Sequence, residues 1–172
     1  KNLIESTPPA MALTFEPKER DIMSRKPEPV HLPLLTTQMK VFIFFIGSLT
    51  NFLLFAIFWW FWHNPDYVQA RIDLIRSVMF AGLAIDSFFL IFSFRNLKLN
   101  IWEYNPFSNM YLNFVVLSAF LLLLAAIYLP PFQVLLKTVP FGFFEWSILI
   151  FYAFANIILI ELVKWYYKKH SL

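Results

Sequence analysis

Residues 41–62 read VFIFFIGSLTNFLLFAIFWWFW, a run of 22 residues without a charge that closes on Trp59, Trp60 and Trp62. At 1.5 Å of rise per residue, a helix of that length reaches about 33 Å, enough to cross a hydrocarbon core of about 30 Å. Tryptophans at its end match the aromatic belt where a helix leaves a bilayer. Comparable runs recur three times downstream. One extends roughly from Arg76 to Arg95 with a single acid, Asp86, inside it. Another, Met110 to Leu129, is uncharged and is stopped by Pro130 and Pro131, which can neither donate to a helix nor continue one. The last runs from about Trp146 to Tyr167, closing on Trp165, Tyr166 and Tyr167 before Lys168, Lys169 and His170. The chain therefore reads as an all-α, polytopic transmembrane helix bundle with four full spans and no internal repeat.

Composition agrees. Of 172 residues 59% are apolar, 20% aromatic and only 15% charged, too few charges to keep a globular surface wet. With no cysteine there is neither a disulfide framework nor a thiolate metal site. The net charge of +3 is small, and basic residues at membrane edges account for it better than nucleic-acid binding would. The chain starts at Lys1 without a methionine or a cleaved-signal pattern and reads as part of a longer polypeptide. Residues 1–40 hold six of the eleven prolines and five of the eleven acids, so they are expected to be mostly extended or looped and exposed to water.

Lys and Arg are retained on the cytoplasmic side during insertion, which gives the expected orientation. The leading segment, the 95–107 loop and the tail together carry Lys18, Arg20, Arg25, Lys26, Lys40, Arg95, Lys98, Lys164, Lys168 and Lys169. The two alternate loops carry only Arg71, Arg76 and Lys137. Ten against three places residues 18–40, the 95–107 loop and the tail in the cytoplasm.

Asp86 lies ten residues from Arg76 and nine from Arg95, close to mid-bilayer. A central Asp costs about 2.5–3.5 kcal/mol to insert, so it is expected to face the bundle interior and to coordinate a cation, relay a proton or stay protonated as a structural acid. Ala81, Gly82, Ala84 and Ser87 around it permit close backbone approach. A second cluster is Asn2, Glu5, Ser6 and Thr7, followed by Pro8 and Pro9. In a helix the two prolines would leave the carbonyls of Ile4 and Glu5 without donors, and with the Glu5 carboxylate these oxygens suit a hard cation. Read without further context, the same cluster is first the polar start of a loop. Asn51 and Asn156, each in mid-span, are expected to be interhelical hydrogen-bonding glue. Glu161 and Lys164, three residues apart, are expected to stabilise a helix terminus. His31, His63 and His170 lack ligand spacing.

The run Asn2-Leu3-Ile4 followed by Pro9-Ala10-Met11-Ala12-Leu13-Thr14-Phe15-Glu16-Pro17 resembles the end of the sixth transmembrane helix of calcium-type P-type ATPases, where N-L-x-T-D-x-x-P-A-x-A-L-x-F-x-P is common. Asp21-Ile22-Met23 with Pro27 resembles the family's following loop, and Glu161-Leu162-Val163-Lys164 the E-x-x-K of its tenth helix. The span holding Ala84-Ile85-Asp86 is similar to its eighth helix, where an acid can help bind the ion. The resemblance implies three parts: residues 1–17 as the end of a proline-interrupted transmembrane helix, 18–40 as a cytoplasmic loop, and 41–172 as a four-helix bundle with a cytoplasmic tail. It implies the back half of the transport domain of an ATP-driven cation pump, with Asn2, Glu5, Ser6, Thr7 and Asp86 as cation ligands. Calcium or another cation would be cargo, and Mg-ATP would bind elsewhere in the parent. The partners implied are the remaining domains of that pump and the lipid bilayer. The phosphorylated D-K-T-G segment of such pumps is absent, so this chain alone cannot hydrolyse ATP. Two adjacent positions depart from the pattern: Ser6 stands where the bridging Asp is usual, and Glu5 where Thr is. A stand-alone four-helix membrane adaptor, or part of a secondary transporter using Asp86 as a proton relay, are the rival readings.

Overall fold

The computed structural model describes residues 7–16, 37–64, 71–96 and 99–170. They form α1 (Thr7–Ala12), α2 (Thr37–Lys40), α3 (Gly47–His63), α4 (Arg71–Phe94), α5 (Met110–Tyr128), α6 (Pro130–Leu136) and α7 (Phe143–His170). A 3-10 turn, Leu13–Phe15, follows α1, and a π-helical stretch, Val41–Ile46, joins α2 to α3. The fold is all-helical among the described residues. Four helices are long and apolar enough to cross a membrane: Val41–His63, Ile72–Phe94, Met110–Tyr128 and Phe143–Lys169.

Two boundaries differ from the sequence expectation for physical reasons. The proline-rich leader is not looped throughout, since Pro8 and Pro9 sit in the first turn of α1, where a helix has no use for their missing N–H groups. Helix also begins at Thr37, so the last four residues of the expected 18–40 loop are helical. The widened turn that follows is explicit in the Gly47 N–H, which donates to the carbonyl of Phe42, five residues back.

The bundle is organised around α4. Its Ile75, Val78, Ala81, Ala84, Ile85 and Phe88 form one buried stripe at helical spacing, packed on Phe61 of α3, on Ala119, Leu123 and Ile127 of α5, and on Leu149 and Ala153 of α7. Lipid tails are as apolar as these side chains, so close packing rather than exclusion from water has to select the contact. Gly82 supplies it: a methyl built there would stand 2.7 Å from Leu54 Cδ1 and 3.3 Å from Leu149 Cδ2, so α3 and α7 close in where α4 has no side chain. Outward faces carry exposed Phe44, Phe52, Phe114, Leu121, Phe151 and Phe154, as suits contact with lipid.

The paired prolines end α5 as expected, and the cost is met locally. Pro130 and Pro131 deprive the carbonyls of Ala126 and Ile127 of their usual donors four residues on. Those two carbonyls instead accept from Thr138 Oγ1 at 2.5 Å and from Gln133 Nε2 at 2.7 Å. Lys137, in the left-handed region at φ 52°, turns the chain so that Thr138 can reach back. On the same side of the bundle, Trp146 Nε1 donates to Tyr128 Oη, and Tyr128 Oη in turn to the carbonyl of Phe141.

Candidate cation site

Asp86 stands on α4 one residue beyond buried Ile85 and is half-buried at the contact with α7. The amide of Asn156, 1% exposed, donates through Nδ2 to Asp86 Oδ1 at 2.6 Å. Tyr152, one turn earlier on α7, neighbours both side chains. Its hydroxyl also donates to the backbone carbonyl of Thr50 on α3 at 3.3 Å. The acid thus meets protein rather than lipid, and three helices converge on it. Asn156 Oδ1 is buried without a hydrogen-bond partner, leaving one acceptor unused beside the carboxylate. Next to this group an apolar groove of about 730 Å³ runs between α3 and α7, with Leu53, Ile57, Phe151 and Tyr152 in its walls.

Asn156 is the interhelical glue expected of it. Asn51 is not: its Nδ2 donates at 2.6 Å to the carbonyl of Gly47, one turn back in its own helix, and its side chain is exposed. An amide on an outward face has no neighbouring helix to bond here, so the nearest backbone carbonyl takes it. Of the second cluster, Thr7 is described and opens α1 as an exposed residue. Asn2, Glu5 and Ser6 lie outside the described residues, as does His31. Among the described residues no three His, Cys, Asp or Glu side chains gather as a metal site, so Asp86 is a single carboxylate.

At one membrane edge the ends of the helices are held by a dense set of polar contacts. Glu161 and Lys164 pair at 2.9 Å, as their spacing suggested, but they are buried, with side chains 4% and 0% exposed. Lys164 also donates to the carbonyl of Ser93 at 2.5 Å, while Glu161 accepts from Asn100 Nδ2 and from the N–H of Ile101. The pair therefore fastens α7 to the end of α4 and to the connection beyond it, rather than merely capping a helix. Farther along, Lys168 donates to Glu103 at 2.5 Å, and this bond, with the N–H of Asn100, holds the Glu103 carboxyl below its usual range. Tyr104 donates to the carbonyl of Phe92, and burial pushes its hydroxyl up to about 12.

A second group at the same edge was not foreseen. Arg95, at the end of α4, engages both carboxylate oxygens of Glu16, the residue that follows the 3-10 turn after α1. It donates further to the carbonyl of Pro106 and to Ser108 Oγ. Asn109 caps α5 by accepting from the N–H of Leu112, and donates to Ala12 O and Glu16 Oε2. Asn immediately before an apolar run is a readable capping signal, but nothing in the spacing of Glu16 and Arg95, 79 residues apart, announces that they meet.

These features match one family throughout. The family model described as cation transporting ATPase, C-terminus, covers residues 1–166. The chain belongs to the cation-transporting ATPase family. A calcium-transporting ATPase of Bacillus subtilis is 33% identical over 87% of this chain, and one of Plasmodium falciparum 27% over 98%. A rat calcium-transporting ATPase type 2C member 2 is 26% identical over 95%. In these three relatives the matched region is 16%, 17% and 17% of the length, so this ATPase region spans about a sixth of each of them. It corresponds to the carboxy-terminal membrane region of P-type pumps and, with its four apolar helices, is integral to a membrane.

Proposed function

We propose that this region forms the back half of an intramembrane cation pathway in an ATP-driven pump. Asp86, oriented by Asn156, contributes one carboxylate near the bilayer midplane, and Asn2, Glu5, Ser6 and Thr7 contribute the remaining oxygen donors. The observation that carries the reading is the buried, unused oxygen of Asn156 beside a lone mid-membrane carboxylate. A hard cation is bound by such a set of oxygens; Ser93 Oγ and Asn113 Oδ1 are also buried without a partner, and Asn156 Oδ1 is the one whose amide holds a mid-span carboxylate. Family membership favours a pump over an adaptor or a secondary transporter. Nucleotide, Mg²⁺ and the phosphorylated aspartate belong to other domains of the parent, which are this region's partners together with the bilayer and the transported cation. Calcium transport by the relatives named above makes calcium the first cation to test.

Orientation follows the basic residues, with 18–40, 95–107 and the tail cytoplasmic. External labelling of a cysteine introduced at position 98 in intact cells is expected to fail, and efficient labelling there would reverse the orientation.

Glu5 gives the sharpest test of the site. A cation buried in low dielectric needs an anion nearby, and the Ser6 hydroxyl offers only a dipole. Glu5→Gln in the full-length pump is therefore expected to abolish cation-dependent phosphorylation, with Ser6→Ala changing it only modestly. Normal cation affinity in Glu5→Gln would return this cluster to the polar start of a loop.

A further inference from the structure

We infer that Arg95 is a positioning residue for the cation site, holding the end of α1 at a fixed height against α4 and α5 and so setting the depth of Thr7 relative to Asp86. The inference rests on the proposed cation-site reading and adds to it the part that keeps its two sides in register.

The geometry is that of a clamp. The Arg95 side chain is 1% exposed, and its fork spans both oxygens of Glu16, an arrangement that narrows the relative placement of the two backbones. It also donates through Nη1 to Pro106 and through Nη2 to Ser108, so the guanidinium is itself fixed from the α5 side. Asn109 repeats the tie from the N-terminus of α5 to Ala12 and Glu16. The ring of Phe15 stacks on that of Tyr111 at 4.9 Å, which adds an apolar contact between the same two elements. Residues 12–16, Arg95 and residues 106–111 are thus joined at one point.

The clamp sits at matched sequence separations from the two donor groups. Thr7 precedes Glu16 by nine residues, and Asp86 precedes Arg95 by nine. Asp86 is one continuous helix away from the clamp, about 13–14 Å at 1.5 Å per residue, whereas Thr7 is reached through six α-helical residues and a 3-10 turn of steeper rise, so the clamp fixes the level at which α1 ends. Oxygen ligands sit about 2.0–2.6 Å from a hard cation, and a slide of α1 by one residue, about 1.5 Å, would take its donors out of reach. A bidentate pair whose arginine is buried and whose glutamate is half-buried resists such a slide better than an exposed single contact would.

The test uses the full-length pump and compares Arg95→Gln, Arg95→Lys and Glu16→Gln with Asp86→Asn, reading phosphoenzyme formed from ATP against calcium concentration. A displaced donor weakens the site by the order of one hydrogen bond to a charged group, so Arg95→Gln is expected to raise the half-saturating concentration about tenfold. The phosphoenzyme level at saturating calcium should stay near that of the parent. Lysine cannot form the fork, so Arg95→Lys should not restore affinity, and the Arg95→Gln, Glu16→Gln double variant should be no worse than either single one. If Arg95→Gln does not accumulate in the membrane, Glu16→Gln, which leaves Arg95 its contacts to Pro106 and Ser108, carries the same expectation. Unchanged half-saturation in Glu16→Gln and Arg95→Lys, with Asp86→Asn shifted, would overturn the clamp and leave the site standing. A lowered saturating level at unchanged half-saturation would equally overturn it, as the mark of a purely structural contact. No shift in Asp86→Asn would sink the site reading, and the clamp with it.

Discussion

The membrane edge and the membrane middle handle charge in opposite ways. At the edge, Glu161 accepts from Lys164, Asn100 and the N–H of Ile101, and Arg95 donates to Glu16, Pro106 and Ser108. In the middle, Asp86 has a neutral amide and a phenol beside it, with no cation and an acceptor on Asn156 left over. Dense networks make rigid joints, because each member is worth more in place than displaced, even though Ser93 Oγ and Asn113 Oδ1 there are also buried without a partner. An under-supplied carboxylate in a low-dielectric interior is instead poised to take up a positive charge from outside the protein. Under the proposed reading, the edge holds the helices and the middle handles cargo.

Breaking the edge should give the largest loss of stability. Removing one member of a buried ion pair leaves the other charge uncompensated, typically at about 3–5 kcal/mol. Lys164→Met is therefore expected to lower the unfolding midpoint of the detergent-solubilised protein markedly. Replacing both Lys164 and Glu161 by apolar residues should lose far less than Lys164→Met alone. An Lys164→Met protein as stable as the parent would mean that the edge is not the joint described here.

Asn156→Leu sharpens the comparison from the other side. Interhelical hydrogen bonds within a membrane average only about 0.6 kcal/mol, so thermal stability should change little while calcium affinity of the full-length pump falls several-fold. A large stability loss with unchanged affinity would make the middle a joint like the edge.

The smallest expected effect is at the tail. The folded Glu103 carboxyl titrates below its ordinary value of 4.5, held down chiefly by Lys168, so the tie is complete above that value and is lost as pH falls through the depressed one. Limited proteolysis of the tail should therefore be unchanged from pH 7 to 5 and increase below about pH 4, and Glu103→Gln should remove the step. A step centred well above pH 5 would assign the release to another group.

How much of this was legible depends on range. The four spans were readable because an uncharged run of about twenty residues has few other uses. Asp86 was readable as interior because a lone acid at mid-span needs a partner, and Asn156 proved to be that partner. Asn51 misled, since an amide in mid-span identifies its need for a bond but not which face it occupies, and its own helix supplied the carbonyl. Glu161 and Lys164 were visible as a pair from their spacing, yet their burial depends on Asn100 and Ser93, which sequence periodicity cannot bring to them. Arg95 entered the sequence reading only as one of ten basic residues marking a membrane side. Its pairing with Glu16 is set by the docking of α1 on α5, a tertiary contact with no local signature.

The account turns on Asp86 as a cation ligand, and the most direct test is the calcium dependence of phosphoenzyme formation by the full-length pump carrying Asp86→Asn. Asparagine keeps the size of the side chain and can still accept from Asn156, so the bundle should assemble normally while the site loses a formal charge. A fall in affinity of about tenfold or more is expected, from the order of 1–3 kcal/mol that a buried charge-assisted contact contributes. A normally assembled Asp86→Asn pump with the parent's half-saturating calcium concentration would contradict the assignment and leave Asp86 a structural acid.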